Sequence, residues 1–330
     1  MEVLDAIDLG RMDELRRAGE FFWLDLHDPG ASDLAALADH YGWHPLVRET
    51  LGEPHQRPKL APYGDYSFLV FYGARAANLD RLSEQDDDEH LVEVHLVVSG
   101  DYLISIHPKP LKELDALRDS MGARQPRSEV GVVYDVLDTL TDTYFDVLDD
   151  IDEAIDKLQD AIVARPTDDQ LEHVFHLKRV LIRTRRVVDP QRDLAARALD
   201  DIERLPGLQT DGADYFRQVY DHLMRISDRV EAYRDLLTSV MDVYLSTVSN
   251  RLNVVMKQLT IVATIFLPLT FVTGFFGMNF SWLITRITGP FMFFALGVGL
   301  LLAPIVVMLV WFRRKGWLSD GDAPAPTTRR

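Results

Sequence analysis

Two stretches of this chain contain no charged residue: Leu259–Phe276, eighteen residues, and Pro290–Phe312, twenty-three. As helices, both are long enough to cross roughly 30 Å of hydrocarbon. A lipid interior satisfies no backbone polar group, so such segments cross it with their hydrogen bonds made internally. No upstream run approaches these lengths. The chain therefore reads as an integral membrane protein with a polar N-terminal part and two C-terminal transmembrane helices. The formal net charge of −17 divides in the same way. Residues 254–330 hold seven Lys or Arg and two Asp, a net of +5, which leaves −22 on the preceding 253 residues. An acidic surface repels phosphate and argues against nucleic acid as a partner; it suits a domain bathed in dissolved cations, although solubility alone also accounts for it.

The polar part has two textures. Within residues 20–130, Phe21–Leu26, Tyr66–Tyr72, Leu91–Val98 and Tyr102–His107 are short β-branched or aromatic runs bounded by turn residues, and Ser32–Tyr41 is helical in pattern. These predict an α/β domain, a sheet covered by helices. Beyond Gly131, Val133, Leu137, Leu140, Tyr144, Leu148, Ile151, Ile155, Leu158 and Ile162 recur three and four apart as a buried helical stripe. Ten Asp or Glu between Asp135 and Asp160 occupy its other faces, before Arg165-Pro166 breaks the helix. Thr167 and Asp168 then offer an N-cap for a helix rich in Lys178, Arg179, Arg183, Arg185 and Arg186, so an acidic and a basic helix are expected to pair as an antiparallel hairpin.

From Ala213 to Leu267 there is neither Gly nor Pro, so one helix of about 80 Å is expected to run from the cytoplasm into the bilayer. Phe216, Val219, Leu223, Ile226, Val230, Tyr233, Leu237, Val240 and Tyr244 form a heptad pattern that requires a helical partner. A second stripe follows at helical spacing: Asp242, Ser246, Ser249, Asn253, Met256, Leu259 or Thr260, Ala263, Leu267, Thr270 and Gly274. It begins polar and becomes apolar or small. Polar side chains at membrane depth normally face another helix or water, the alternative for the threonines being a bond to their own i−4 carbonyl. Pro268 and Pro304 each remove one backbone donor within a span. Arg251 and Lys257 precede the first span, Arg313, Arg314 and Lys315 follow the second, and the connecting loop holds only Arg286, which predicts cytoplasmic termini. Met1–Arg17 has no apolar signal-peptide core, in agreement. Two helices cannot enclose a pore, so a water path along this stripe requires several subunits around a closed axis.

Other chemistry is thinly represented. There is no cysteine, hence neither a disulfide nor a thiolate metal site, and no G-x-x-x-x-G-K-[ST] phosphate loop. No nucleophile and base assemble in a recognisable motif, so an enzyme is not expected. His173 and His176 share a helical face but are read as solvated, and His90 and His95 as lying on opposite faces of a strand. The run Asp86-Asp87-Asp88-Glu89 reads as a solvated loop, or as carboxylates holding a regulatory Mg2+ ion at a subunit interface.

The segment from Asp242 through Asn253-Val-Val-Met256, Leu267-Pro-Leu-Thr270 and Gly274-Phe-Phe to Gly277-Met278-Asn279 closely resembles the first transmembrane region of the CorA-type magnesium/cobalt transporter family, whose signature is Gly-Met-Asn. Trp23-Leu-Asp-Leu, His55-Gln-Arg-Pro-Lys-Leu, Asp101-Tyr-Leu-Ile-Ser, Arg185-Arg-Val-Val-Asp-Pro and Tyr220-Asp-His-Leu extend the resemblance over nearly the whole chain. It implies a funnel-shaped homopentamer in the cell membrane that passes Mg2+, and often Co2+ or Ni2+, down the membrane potential. It further implies a metal-sensing α/β domain over 1–130, the helical hairpin over 131–210, the stalk and first transmembrane helix over 211–276, an external loop over 277–289, the second span over 290–312 and a basic tail over 313–330. Gly277, Met278 and Asn279 would form the selectivity ring. Asn253 would be an inner polar ring, Met256, Leu259 and Leu267 a hydrophobic constriction, Ser246, Ser249, Thr270 and Gly274 further pore positions, and Asp242 an acidic ring in the throat. Arg313, Arg314 and Lys315 would form a basic collar, while Asp86, Asp87, Asp88 and Asp221 are candidates for a regulatory Mg2+. The chain has Phe276 where many relatives have Tyr, Gln218 where relatives can place a sensing carboxylate, and no acid from Ser281 to Gly289. The neutral external loop keeps open a zinc or other transition-metal transporter of the same superfamily. A non-conducting membrane-anchored sensor or scaffold is the third reading.

Overall fold

The computed structural model describes residues 1–75, 90–121, 128–201, 205–208, 212–278 and 289–317. The sheet forms from β1 (Glu2–Leu4), β2 (Phe22–His27), β3 (Lys59–Tyr63), β4 (Tyr66–Ala74), β5 (Leu91–Ser99) and β6 (Tyr102–His107). Helices α1 (Leu9–Ala18), α2 (Ala31–His40), α3 (Pro45–Gly52) and α4 (Lys112–Met121) accompany it. The strand order is β1-β2-β6-β5-β4-β3, with β1, β2 and β6 parallel and β6 to β3 antiparallel. β4 and β6 are buried throughout, and strands covered on both faces read as continuous apolar runs, which is why they were visible in the sequence.

The elements beyond those expected are explained by their caps. Helix α1 starts at Asp8, whose side chain accepts from the Arg11 backbone N–H, and ends at Gly19 with φ of 68°. Helix α3 has Pro45 in its first turn, behind the His44 cap. β3 carries Pro62 and lies at the sheet edge, where a missing donor breaks no ladder.

Three long helices follow: α5 (Glu129–Ala164), α6 (Asp168–Asp201) and α7 (Gly212–Phe276). Ser128 caps α5, which stops at Arg165 as expected; the Thr167 N–H donates to Gln170 Oε1 at 3.0 Å, the return arm of a capping box. Helix α5 packs on the sheet through Thr143, whose Oγ1 accepts the Ala74 N–H at 2.7 Å, and through Tyr144, whose hydroxyl donates to the Tyr72 carbonyl at 3.1 Å. The α7 heptad positions Phe216, Val219, Leu223, Ile226, Val230, Tyr233, Leu237, Val240 and Tyr244 are all buried. Their partners lie in the same chain. Tyr134 stacks on Tyr215 and Asp149 pairs with Arg229, so α5 and α7 run parallel, whereas Asp189 meets Ser227 and Asp168 meets Tyr244, so α6 runs antiparallel to α7.

The chain divides into two compact units, Met1–Tyr244 and Leu245–Arg330. The second contains the rest of α7, then α8 (Pro290–Met292), a π-helical stretch Phe293–Gly299 and α9 (Leu300–Arg314). The second span is thus helical from Pro290 to Arg314 but wider in its first half, where Phe293–Gly299 winds in π-helical turns.

Candidate functional site

Helix α7 continues through Pro268 without ending, and it carries the whole predicted stripe. Asp242, Ser246, Ser249, Asn253, Thr270 and Gly274 are exposed, as are Met256, Leu259 and Leu267 at 60%, 63% and 74%. Large apolar side chains left this open within one chain need lipid or another subunit to cover them.

The threonines have a specific geometry. Thr260 Oγ1 donates to the Met256 carbonyl at 2.7 Å, Thr264 to Thr260 at 2.7 Å, Thr270 to Phe266 at 2.8 Å and Thr273 to Leu269 at 2.9 Å. The i−4 alternative is therefore realised at all four. A hydroxyl whose proton is engaged inward presents only lone pairs outward, and so acts as an acceptor. The helix thus displays oxygen acceptors without free hydroxyl donors at these positions, the polarity that suits a cation or the outward-pointing hydrogens of its bound water.

At the other end of this span the chain leaves the helix at Gly277, whose N–H donates to the Thr273 carbonyl at 2.9 Å. A Cβ on Gly277 would lie 3.0 Å from that carbonyl oxygen, tighter than most side chains sit, so glycine eases this close exit. Met278 follows, exposed; Asn279, the expected centre of the selectivity ring, lies outside the described residues. On the second span, Arg313 and Arg314 end α9 and Lys315 caps it, all exposed.

Over residues 18–314 the chain matches the family described as CorA-like Mg2+ transporter protein. It belongs to that family. The cobalt/magnesium transport protein CorA of Thermotoga maritima is 33% identical to this CorA-like chain over 309 residues, covering 90% of this chain and 83% of its own. A zinc transport protein of Pectobacterium carotovorum is 27% identical over 278 residues, covering 82% and 80%. The complete structure of the CorA magnesium transporter from Methanocaldococcus jannaschii shares the fold, with a TM-score of 0.75 at 23% identity over 90% of this chain and 91% of that one.

The residues expected to hold a regulatory ion fall in the first unit of the CorA-like chain. Asp86, Asp87 and Asp88 lie outside the described residues, and Asp221 is exposed on α7. The adjacent His222 instead turns toward α5, with Nδ1 3.2 Å from Asp138 and 3.4 Å from Asp142. One ligand atom from each of the three lies within 4.8 Å of the others. Burial, and then the neighbouring Asp142 charge, raise the Asp138 carboxyl above its ordinary range. The cluster was missed in the sequence because its members are some eighty residues apart, though the i, i+4 spacing of Asp138 and Asp142 was a partial signal.

One histidine expectation needs correction. His176 is buried rather than solvated, since it falls within the α6 stripe of Val174, Leu177 and Val180. His90 lies just before β5 and contacts Thr184 Oγ1 at 3.0 Å, while His95 is in β5 and contacts Glu93 at 2.7 Å, so the two serve different partners.

Proposed function

We propose that this chain is one subunit of a homo-oligomeric divalent cation channel, most simply a pentamer, that admits Mg2+ across the cell membrane with both termini in the cytoplasm. The observation that carries the reading is the single helix Gly212–Phe276, whose exposed acceptor positions lead into Gly277-Met278-Asn279. Mg2+ keeps octahedral oxygen coordination and sheds water reluctantly, so a ring of Asn279 amides and backbone carbonyls grips the hydrated ion without stripping it. A doubly charged ion gains roughly 4.6 kcal/mol per 100 mV of inside-negative potential, enough to drive uptake without nucleotide. Met256, Leu259 and Leu267 supply the constriction, closing by dewetting when helices approach. Asp242 concentrates cations in the throat, Ser246, Ser249, Asn253, Thr270 and Gly274 line the path, and Arg313, Arg314 and Lys315 form a collar.

In this reading, regulatory binding falls on Asp138, Asp142 and His222. Two carboxylates suit Mg2+, and the imidazole extends the site to Co2+ or Ni2+. A second reading, zinc transport, is favoured by the absence of acid between Ser281 and Gly289. Flux into proteoliposomes, compared for Mg2+, Zn2+, Co2+ and Ni2+, separates the two. Asn279→Ala is expected to abolish flux of the preferred ion while the oligomer survives on size-exclusion chromatography. Flux at the unsubstituted rate would remove the conduction reading.

A further inference from the structure

Helix α9 ends in a Schellman cap. Gly316, at φ of 70°, donates its N–H to the Arg313 carbonyl at 3.1 Å, and the Trp317 N–H donates to the Phe312 carbonyl at 2.9 Å. This reversal folds Trp317 back along the helix, where its ring stacks on Phe312 with centroids 5.6 Å apart and an interplanar angle of 19°. Trp311 completes the group, edge-on to Trp317 at 6.0 Å. Phe312 is left 1% exposed, although its neighbours from Val306 to Trp317 are largely open. Lys257 Nζ of α7 stands over the Trp317 ring, 6.0 Å from its centroid.

Lys257 is a problem for a cation path. It directly follows Met256 and lies four residues, about one turn, after Asn253, so its ammonium is within reach of positions assigned to the pore. A positive charge beside the constriction repels a divalent ion. Arg313, Arg314 and Lys315 supply like charge at the end of α9 and no counter-ion. An indole face attracts an ammonium through its quadrupole and needs no carboxylate to do so.

We propose that Trp317 is a positioning residue for conduction: folded back by the Gly316 turn, its ring holds the Lys257 ammonium out of the ion path. This rests on the reading that α7 lines the pore. Trp317→Leu keeps apolar bulk on Phe312 but removes the indole face. Mg2+ uptake by the full-length oligomer in proteoliposomes is expected to fall about fivefold, the population change that loss of one cation–π contact corresponds to. Trp317→Phe, which keeps an aromatic face, is expected to stay within about twofold of the unsubstituted chain. The charge itself is tested by Lys257→Gln, expected to conduct at least as well as the unsubstituted chain and to restore uptake when combined with Trp317→Leu. Rescue of this kind would not follow from a purely structural role for the ring. Unchanged uptake by an intact Trp317→Leu oligomer, or a double variant as slow as Trp317→Leu alone, overturns the proposal. If neither Trp317 variant assembles, Lys257→Gln decides it: a marked loss of uptake means that the ammonium itself is needed. Asn279→Ala, run beside these, separates the outcomes: if it conducts normally, the pore reading has failed, and if it is silent while Trp317→Leu is normal, only the assignment to Trp317 has.

Discussion

Asp25 on β2 and His107 on β6 meet in the buried interior, with His107 Nε2 3.2 Å from Asp25 Oδ1 and its Nδ1 2.7 Å from the Lys109 carbonyl. Both ring nitrogens face acceptors, which calls for the doubly protonated imidazolium. Burial works against that charge, but the hydrogen bond and charge of Asp25 outweigh it and the His107 pKa is raised. Arg118 of α4 also reaches Asp25, at 3.3 Å, so the pair ties that helix to the sheet. A folded pKa raised above the unfolded value means stability that is fully present below the ordinary histidine range and lost as pH climbs through the raised value. The melting temperature is therefore expected to fall as pH rises above the ordinary histidine range, and to fall less in His107→Asn, whose side chain does not titrate. Equal pH dependence in both proteins would remove His107 from the account. None of this was legible in the sequence: Asp25 and His107 are 82 residues apart, and only the parallel pairing of β2 with β6 brings them together.

Among the elements, α7 was the most legible, because its two signals are local. A stretch free of Gly and Pro, with apolar residues at heptad spacing, specifies a helix whatever surrounds it. What the pattern left open was the partner. Helices α5 and α6 run in opposite directions, and charged residues of both also find partners outside such a pair: Arg229 of α7 pairs with Asp149, and Arg185 of α6 pairs with Asp189 on its own helix. The short segment Leu205–Leu208 was invisible, yet it docks on the sheet. Ser67 Oγ donates to the Pro206 carbonyl at 2.9 Å, and Gly207 sits at φ of 80° against the β5 backbone. A Cβ there would fall 2.9 Å from both Ser99 C and Val98 Cγ1. Gly207→Ala combines a left-handed backbone with overpacking and is expected to cost on the order of 1–3 kcal/mol. Chemical denaturation measures it, and a midpoint within error of the parent would contradict the docking.

For the whole molecule, the first unit, Met1–Tyr244, buries its own sheet core and the heptad face of α7. It is therefore expected to fold without the membrane: a fragment of residues 1–244 should stay soluble without detergent and melt cooperatively by circular dichroism. Aggregation or a featureless melt would mean that the second unit completes its core. The sequence by itself determined the two spans, the long helix, the continuous apolar strands and the family, because each is written in residues close along the chain, as hydrophobic period, length or a contiguous motif. Only the tertiary structure decided that the α7 heptads pack on α5 and α6, that His222 joins Asp138 and Asp142, and that Trp317 turns back beneath Lys257. Such contacts depend on strand order, helix direction and a single left-handed turn, which bring distant residues together without leaving a local pattern to read.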